Sequence, residues 1–90
     1  MPIQWKGQDP LVRFWVEEGR QQLDVRDLLA EGGRPYAHIM SCVTQLGKGE
    51  VLVIHALFEP KPLVAQLEKR GLRCECRRAG EDHWTLTVFA

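Results

Sequence analysis

Hydrophobic and polar residues alternate along several short stretches of this chain, the pattern of strands with one buried face. Residues 22–26, 72–78 and 83–89 alternate in this way. The segment 79–82, Ala-Gly-Glu-Asp, predicts a hairpin turn between the last two stretches. The apolar run at 50–56 predicts a central strand that is buried on both faces. The pattern therefore predicts four strands.

Two other segments have the three-and-four spacing of an amphipathic helix. Pro35 opens the first, which Gly47 ends, and its apolar stripe consists of Tyr36, Ile39, Met40, Val43 and Leu46. The word Glu59–Pro62 opens the second helix, and Gly71 ends it. Each predicted helix thus has both a start signal and a stop signal.

The first 20 residues have no clear period. Asp9 and Pro10 form a helix start, so we expect a short helix here. The segment is also rich in aromatic side chains, namely Trp5, Phe14 and Trp15. We therefore divide the chain into an N-terminal extension, 1–20, and a folded domain, 21–90.

The predicted order is β-α-β-α-β-β, an α/β (α+β) fold of two layers. A four-stranded mixed sheet carries two helices on one face, and the first two strands are joined by a right-handed crossover. The other sheet face needs a cover, and we expect the aromatic extension to pack there. A second copy of the chain is another candidate cover, so a homodimer is predicted.

Composition narrows the range of functions. Twelve Lys and Arg balance twelve Asp and Glu, which argues against nucleic acid as the main partner. No apolar run reaches the length of a membrane span, and no secretory signal is recognisable. The three cysteines give no disulfide framework, so we expect a cytoplasmic protein.

Candidate binding residues gather where the first two strands end and both helices begin. Helix N-termini favour anions, and open sheets bind ligands at the carboxyl ends of their strands. The alternative is that the prolines only start helices and the charges only solvate loops. The predicted binding edge consists of Asp24, Arg26, Arg34, Pro35, His55, Phe58, Glu59, Pro60, Lys61 and Pro62.

Histidine and cysteine add further candidates, each with a structural alternative. His55 is a weak candidate metal ligand or acid–base group, and the alternative is an imidazole bonded to a loop carbonyl. His38 and Cys42 are four residues apart and could form a pair on one helix face. Cys74 and Cys76 share a strand face, either as redox thiols or as small core residues. We identify no catalytic residue and no cofactor.

Several short sequence motifs, in their order and spacing, resemble those of the TusA/SirA family of small sulfur-carrier proteins. They are Leu23-Asp24-Val25-Arg26, a proline-led helix, and Leu46-Gly47-Lys48-Gly49-Glu50. The motifs Glu59–Leu63 and Leu67–Gly71 look more like those of a sister branch of unknown function, found in bacteria. The resemblance covers about residues 22–89.

One departure from the sulfur carriers bears on function. Those proteins place a nucleophilic cysteine in a Cys-Pro-x-Pro word at the start of the first helix. Here Gly32-Gly33-Arg34 stands before Pro35, and Cys42 lies two helical turns further on. The resemblance therefore implies the sister branch that lacks this cysteine, and it argues against sulfur relay at this position.

We therefore expect a small cytoplasmic, non-catalytic binding module that takes another protein or a small anionic ligand at the predicted edge. The resemblance implies a role in sulfur, nitrogen-oxide or redox metabolism. One alternative is a thiol-based carrier that uses Cys42, or Cys74 and Cys76. Another is a metal-binding protein that uses His55.

Overall fold

A computed structural model describes residues 10–90 as one sheet with three helices. None of these helices has the length and apolar character needed to cross a bilayer. In chain order, the elements are β1 (Arg13–Glu17), β2 (Arg20–Asp24), α1 (Arg26–Ala30), α2 (Tyr36–Thr44), β3 (Val51–Ala56), α3 (Lys61–Lys69), β4 (Arg73–Gly80) and β5 (His83–Phe89).

The five strands lie in the order β1-β2-β3-β5-β4. β2 and β3 are parallel, and the other neighbouring pairs are antiparallel. The mixed α/β class and the hairpin of β4 and β5 are confirmed. The predicted count of four strands and the order β-α-β-α-β-β are wrong, because β1 joins the sheet and α1 precedes α2.

The N-terminal segment is the main correction. Where we expected a short helix, β1 pairs with β2 through a two-residue turn, Glu18-Gly19, in which both residues have positive φ. Such turns match the twist of antiparallel strands. Phe14 packs against the core on one side of the sheet, and Trp15 lies on the other. Trp5 and the predicted cap Asp9 lie outside the described residues.

The helix ends show which local signals were informative. Gly71 follows α3 with φ 84°, as its stop signal predicted. α2 ends earlier than expected, with Gln45 as its C-cap, and Gly49 rather than Gly47 has positive φ. α1 matches no helix predicted from the sequence; it is five residues long and buries Leu28.

The core lies between the three helices and one face of the sheet. Its sheet side consists of Leu23, Leu52, Ile54, Leu86 and Val88, and its helix side includes Leu28, Ile39, Val43 and Leu67. Because strand side chains alternate, the opposite face carries Trp15, Gln22, Val53, His55, His83, Thr85, Thr87 and Phe89. We call this second face the open face, since no helix of residues 10–90 covers it.

Candidate functional site

A cavity of about 810 Å³ opens between α2 and α3, above the carboxyl ends of β2 and β3. We call it the α2–α3 cleft. Val25, Ile54 and Ala56 come from the sheet side and its continuation. The remaining lining residues are Leu29, Gly33, Arg34, Pro35, Tyr36, Ile39, Phe58, Pro60, Pro62, Leu63 and Gln66. The cleft therefore lies at the edge of the sheet where the sequence predicted a site.

The lining of this cleft is almost entirely apolar. Among residues 10–90, Arg34 is the one charged residue of the lining, and no carboxylate, histidine or cysteine of this range lines it. Tyr36 and Phe58 are 50% and 56% exposed, so two aromatic side chains of the lining also face solvent. A ligand held here would find apolar and aromatic contacts together with one cation.

Both helices beside the cleft begin at proline. The N-cap residues are Pro35 in α2 and Pro60 in α3, and neither side chain can accept a hydrogen bond from the first turn. Uncapped N–H groups carry the positive end of the helix dipole. The local potential at this edge is therefore favourable to an anion.

The predicted edge residues divide into two groups. Arg34, Pro35, Phe58, Pro60 and Pro62 line the cleft. The other five predicted residues are absent from its lining: Asp24, Arg26, His55, Glu59 and Lys61. The apolar lining residues of the sheet and helices were predicted only as core, because their hydrophobic pattern is the same in both roles.

Asp24 and Arg26 form a closed ion pair. The guanidinium donates from Nε to Oδ1 at 3.0 Å and from Nη2 to Oδ2 at 2.7 Å, and the Arg26 backbone N–H donates to Oδ1 at 3.0 Å. Burial alone raises the pKa of Asp24, but the hydrogen bonds from Arg26 bring it below its ordinary value. The pair braces the junction of β2 and α1.

His55 is at the centre of a polar cluster on the open face. Its Nδ1 lies 2.9 Å from Nε2 of His83, and its Nε2 lies 2.8 Å from Oε1 of Gln22. The Trp15 ring stacks on it, with centroids 5.5 Å apart. Burial lowers the pKa of His55 below its ordinary 6.5, although Asp24 acts in the opposite direction.

Sequence reasoning did not connect His55 with its partners, and it expected a loop carbonyl instead. His83 and Trp84 lie on opposite faces of β5, in agreement with the alternation predicted for residues 83–89. The contact between His55 and His83 depends on the register of β3 and β5, which the sequence does not show. His55 pairs with Thr85, so His83 is its diagonal neighbour on the same face. Gln22 pairs with Val53 on the adjacent strand, which places its amide within reach of His55.

The three thiols lie away from the α2–α3 cleft. Cys42 is fully buried, and burial raises its pKa to about 11. Cys74 and Cys76 are half-buried on the core side of β4. Burial, and then the charges of Glu68 and Glu59 respectively, raise the pKa of these two thiols.

Within residues 10–90, no group of three or more His, Cys, Asp or Glu side chains is arranged to hold a metal ion. His38 is half-buried on α2, with Cys42 one turn further along the same helix. His55 has one histidine neighbour, His83.

The chain was compared with protein families, curated proteins and solved structures. A family model described as "Uncharacterized conserved protein (DUF2249)" matches residues 22–89. No curated protein matches the chain. No solved structure matches it either. The matched range begins within β2 and runs to the end of β5.

Proposed function

The chain belongs to the DUF2249 family, and we propose that it is a non-catalytic binding module whose α2–α3 cleft takes up a small, largely apolar molecule with one anionic group. The observation that carries this proposal is the cleft itself. About 810 Å³ of space with an almost wholly apolar lining lies beside one cation and two uncapped helix starts.

The size and lining of the cleft support a small organic ligand. Ligand sites of roughly 300–1,000 Å³ are usual, with apolar walls and a few polar groups that fix orientation. Each apolar Å² removed from water contributes about 25 cal/mol. A ligand with an aromatic or aliphatic body would therefore gain most of its affinity from Ile39, Ile54 and Leu63.

Charge supports the anionic group. Arg34 is the only charged residue of the described part of the lining, so an anion meets no opposing carboxylate from that part of the chain. A guanidinium binds a carboxylate or sulfonate through two parallel hydrogen bonds. The helix starts at Pro35 and Pro60 add to the same positive potential.

The lining also supports a binding role rather than a catalytic one. Nucleophilic and acid–base catalysis use a serine, threonine, cysteine, lysine, histidine, tyrosine or carboxylate within reach of the substrate. Among the lining residues that the structure describes, Tyr36 is the one side chain of this kind, and no second such group accompanies it in the lining. Cys42, the thiol of the sulfur-carrier alternative, is buried elsewhere.

A partner protein is the second candidate occupant. Tyr36 and Phe58 are large aromatic side chains beside the cleft, and they are 50% and 56% exposed. Aromatic residues of this kind are enriched at protein interfaces. An apolar side chain of a partner could then enter the cleft in place of a free ligand.

The test uses 8-anilinonaphthalene-1-sulfonate, a fluorescent probe with an aromatic body and one sulfonate. We expect one probe per chain, and Leu63→Trp, which fills the cleft from α3, should weaken binding at least tenfold. Arg34→Gln should weaken this probe severalfold, yet leave a neutral naphthylamine probe unchanged. Val16→Thr, which alters a residue that is 60% exposed outside the cleft, is the matched control.

Two results would contradict the proposal. One is probe binding that Leu63→Trp leaves unchanged while the variant stays folded. The other is amide chemical-shift changes on probe addition that fall away from the residues that line the cleft and their chain neighbours. Binding of neither probe, together with a partner that protects Tyr36 and Phe58, would favour the protein-binding candidate.

Finer assignments depend on the sequence resemblance. We propose that the family is a sister branch of the TusA/SirA sulfur carriers that lacks their cysteine. This proposal is supported by the Asp24-to-Arg26 motif, the proline-led helix and the order of the motifs along the chain. A bacterial, cytoplasmic role in sulfur, nitrogen-oxide or redox metabolism, and a homodimer, are part of this same proposal.

A further inference from the structure

Two imidazoles face each other on the open face, on the side of the sheet away from the α2–α3 cleft. His55 lies on β3 and His83 on β5, and Nδ1 of the first is 2.9 Å from Nε2 of the second. Both side chains are half-buried, so solvent reaches the pair.

Gln22 contacts the other ring nitrogen of His55. When its carbonyl oxygen accepts the proton of His55 Nε2, at 2.8 Å, the lone pair of His55 is on Nδ1. That lone pair is directed towards His83. Histidines that bind metals commonly donate their other ring N–H to a carbonyl or carboxylate in this way, which fixes the ring and the tautomer.

We propose that His55 Nδ1 and His83 Nε2 form an exchangeable two-imidazole site for a borderline divalent transition-metal ion, with Zn²⁺ as the representative and solvent completing its coordination shell. This site is independent of the proposed function of the α2–α3 cleft. It replaces the His83 Nε2–H···Nδ1 hydrogen bond by two nitrogen–metal bonds. The His83 proton moves through solvent from Nε2 to Nδ1 of the same ring, so His83 stays a neutral imidazole and no net proton is released.

The spacing of the two nitrogens fits a shared ion. Zinc–nitrogen bonds are about 2.0–2.1 Å long. Two such bonds at a right angle put the nitrogens about 2.9 Å apart, and at the tetrahedral angle about 3.3 Å. The observed 2.9 Å is therefore at the lower end of this range, and a small ring rotation would make the two lone pairs converge.

The surroundings keep the His55 ring in its neutral, metal-binding form. Burial lowers the pKa of His55, so the ring is neutral and able to ligate near pH 7. The charges of Asp24 and Glu17 act on this ring in favour of a cation, while those of Arg26 and His83 oppose it. Trp15 stacks on one face of His55.

The ligand set selects the class of ion. Imidazole nitrogens suit zinc, copper and nickel, whereas calcium and magnesium prefer oxygen ligands. Two protein ligands hold an ion less tightly than the four of a closed structural site. We therefore expect reversible binding rather than a resident cofactor.

The test is calorimetric titration of the full chain with Zn²⁺. We expect one ion per chain, with affinity reduced at least tenfold in His83→Gln and in His55→Gln. His38→Gln, which removes the third histidine of the chain, should bind as the original does. Thermal unfolding of each variant without metal shows whether it is still folded.

Co²⁺ provides a second readout that separates imidazole from thiolate ligands. The cobalt-loaded chain should show no thiolate charge-transfer band, and a Cys74→Ser/Cys76→Ser variant should keep its affinity for Zn²⁺. Binding that survives His83→Gln, a thiolate band, or no heat of binding at millimolar Zn²⁺ would each overturn the site and leave only a hydrogen-bonded pair. None of these results bears on probe binding in the cleft.

Discussion

Asp24 accepts three hydrogen bonds from Arg26, two from the guanidinium and one from the backbone N–H. The side chain of the acid is only 10% exposed, while that of the base is 35% exposed. The pair therefore satisfies a buried carboxylate at the point where β2 ends and α1 begins. Val25 lies between the two residues and lines the α2–α3 cleft.

We expect Arg26→Met to destabilise the chain by about 2–3 kcal/mol, because it leaves a buried carboxylate without its cation. Arg13→Met is the matched control. Its ion pair with Asp27 is 3.6 Å long and well exposed, so the loss should be under about 1 kcal/mol. Urea unfolding measures both, and equal losses in the two variants would contradict the role given to the Asp24–Arg26 pair.

The stability of the chain should depend on pH through His55. Burial lowers the pKa of this imidazole in the folded chain below the ordinary 6.5, so the unfolded chain binds more protons in the interval between the two values. The free energy of unfolding should therefore fall as the pH falls below about 6.5. Urea midpoints between pH 8 and pH 5 measure this dependence.

His55→Gln should flatten that dependence on pH, and His38→Gln is the control. If both variants keep the slope of the original chain, the pH dependence comes from other groups. Asp24 does not contribute to the pH dependence in this interval, since its pKa is lowered from 3.8. The stability that the ionised Asp24 gives to the folded chain is lost only in more acidic solution.

The elements that the sequence predicted well are those whose local signals agree with their burial. β3 is a run of apolar residues in the middle of the sheet, and α3 has proline at its start and Gly71 after its end. By contrast, α1 has Val25 as its N-cap, without a side-chain hydrogen bond, and is only five residues long. Such a helix forms because Leu28 is buried in the core, which no local signal reveals.

The candidate sites could likewise be predicted only where a local sequence signal marks them. The helix starts at Pro35 and Pro60 located the cleft, because they fix where two chain segments leave the sheet. The cluster around His55 could not be assembled, since it needs Trp15 on a strand where a helix was expected. It also depends on a register between β3 and β5 that only pairing determines.

Thiol reactivity tests the carrier alternative directly. Burial raises the pKa of Cys42 to about 11, so at pH 8 only about one thiol in a thousand is ionised. We expect Cys42 to react with a thiol reagent only on unfolding, and the half-buried Cys74 and Cys76 to react before it. Mass spectrometry of peptides after brief alkylation measures the order. Fast labelling of Cys42 in the folded chain would favour the carrier instead.

Gly33 connects α1 to the shape of the α2–α3 cleft. A Cβ at this position would collide with Cδ1 of Leu28 and lie 2.8 Å from its Cγ, while the Gly33 N–H donates to the Leu28 carbonyl at 2.9 Å. Gly33→Ala should therefore displace the Leu28 side chain, cost about 1–3 kcal/mol, and weaken binding of the sulfonate probe severalfold.

Gly32→Ala is the matched comparison, because Gly32 has φ 80° and open space around its Cβ position. It should cost about 1–2 kcal/mol through backbone strain and leave probe affinity unchanged. If the two variants bind the probe equally, the packing of Gly33 against Leu28 does not shape the cleft.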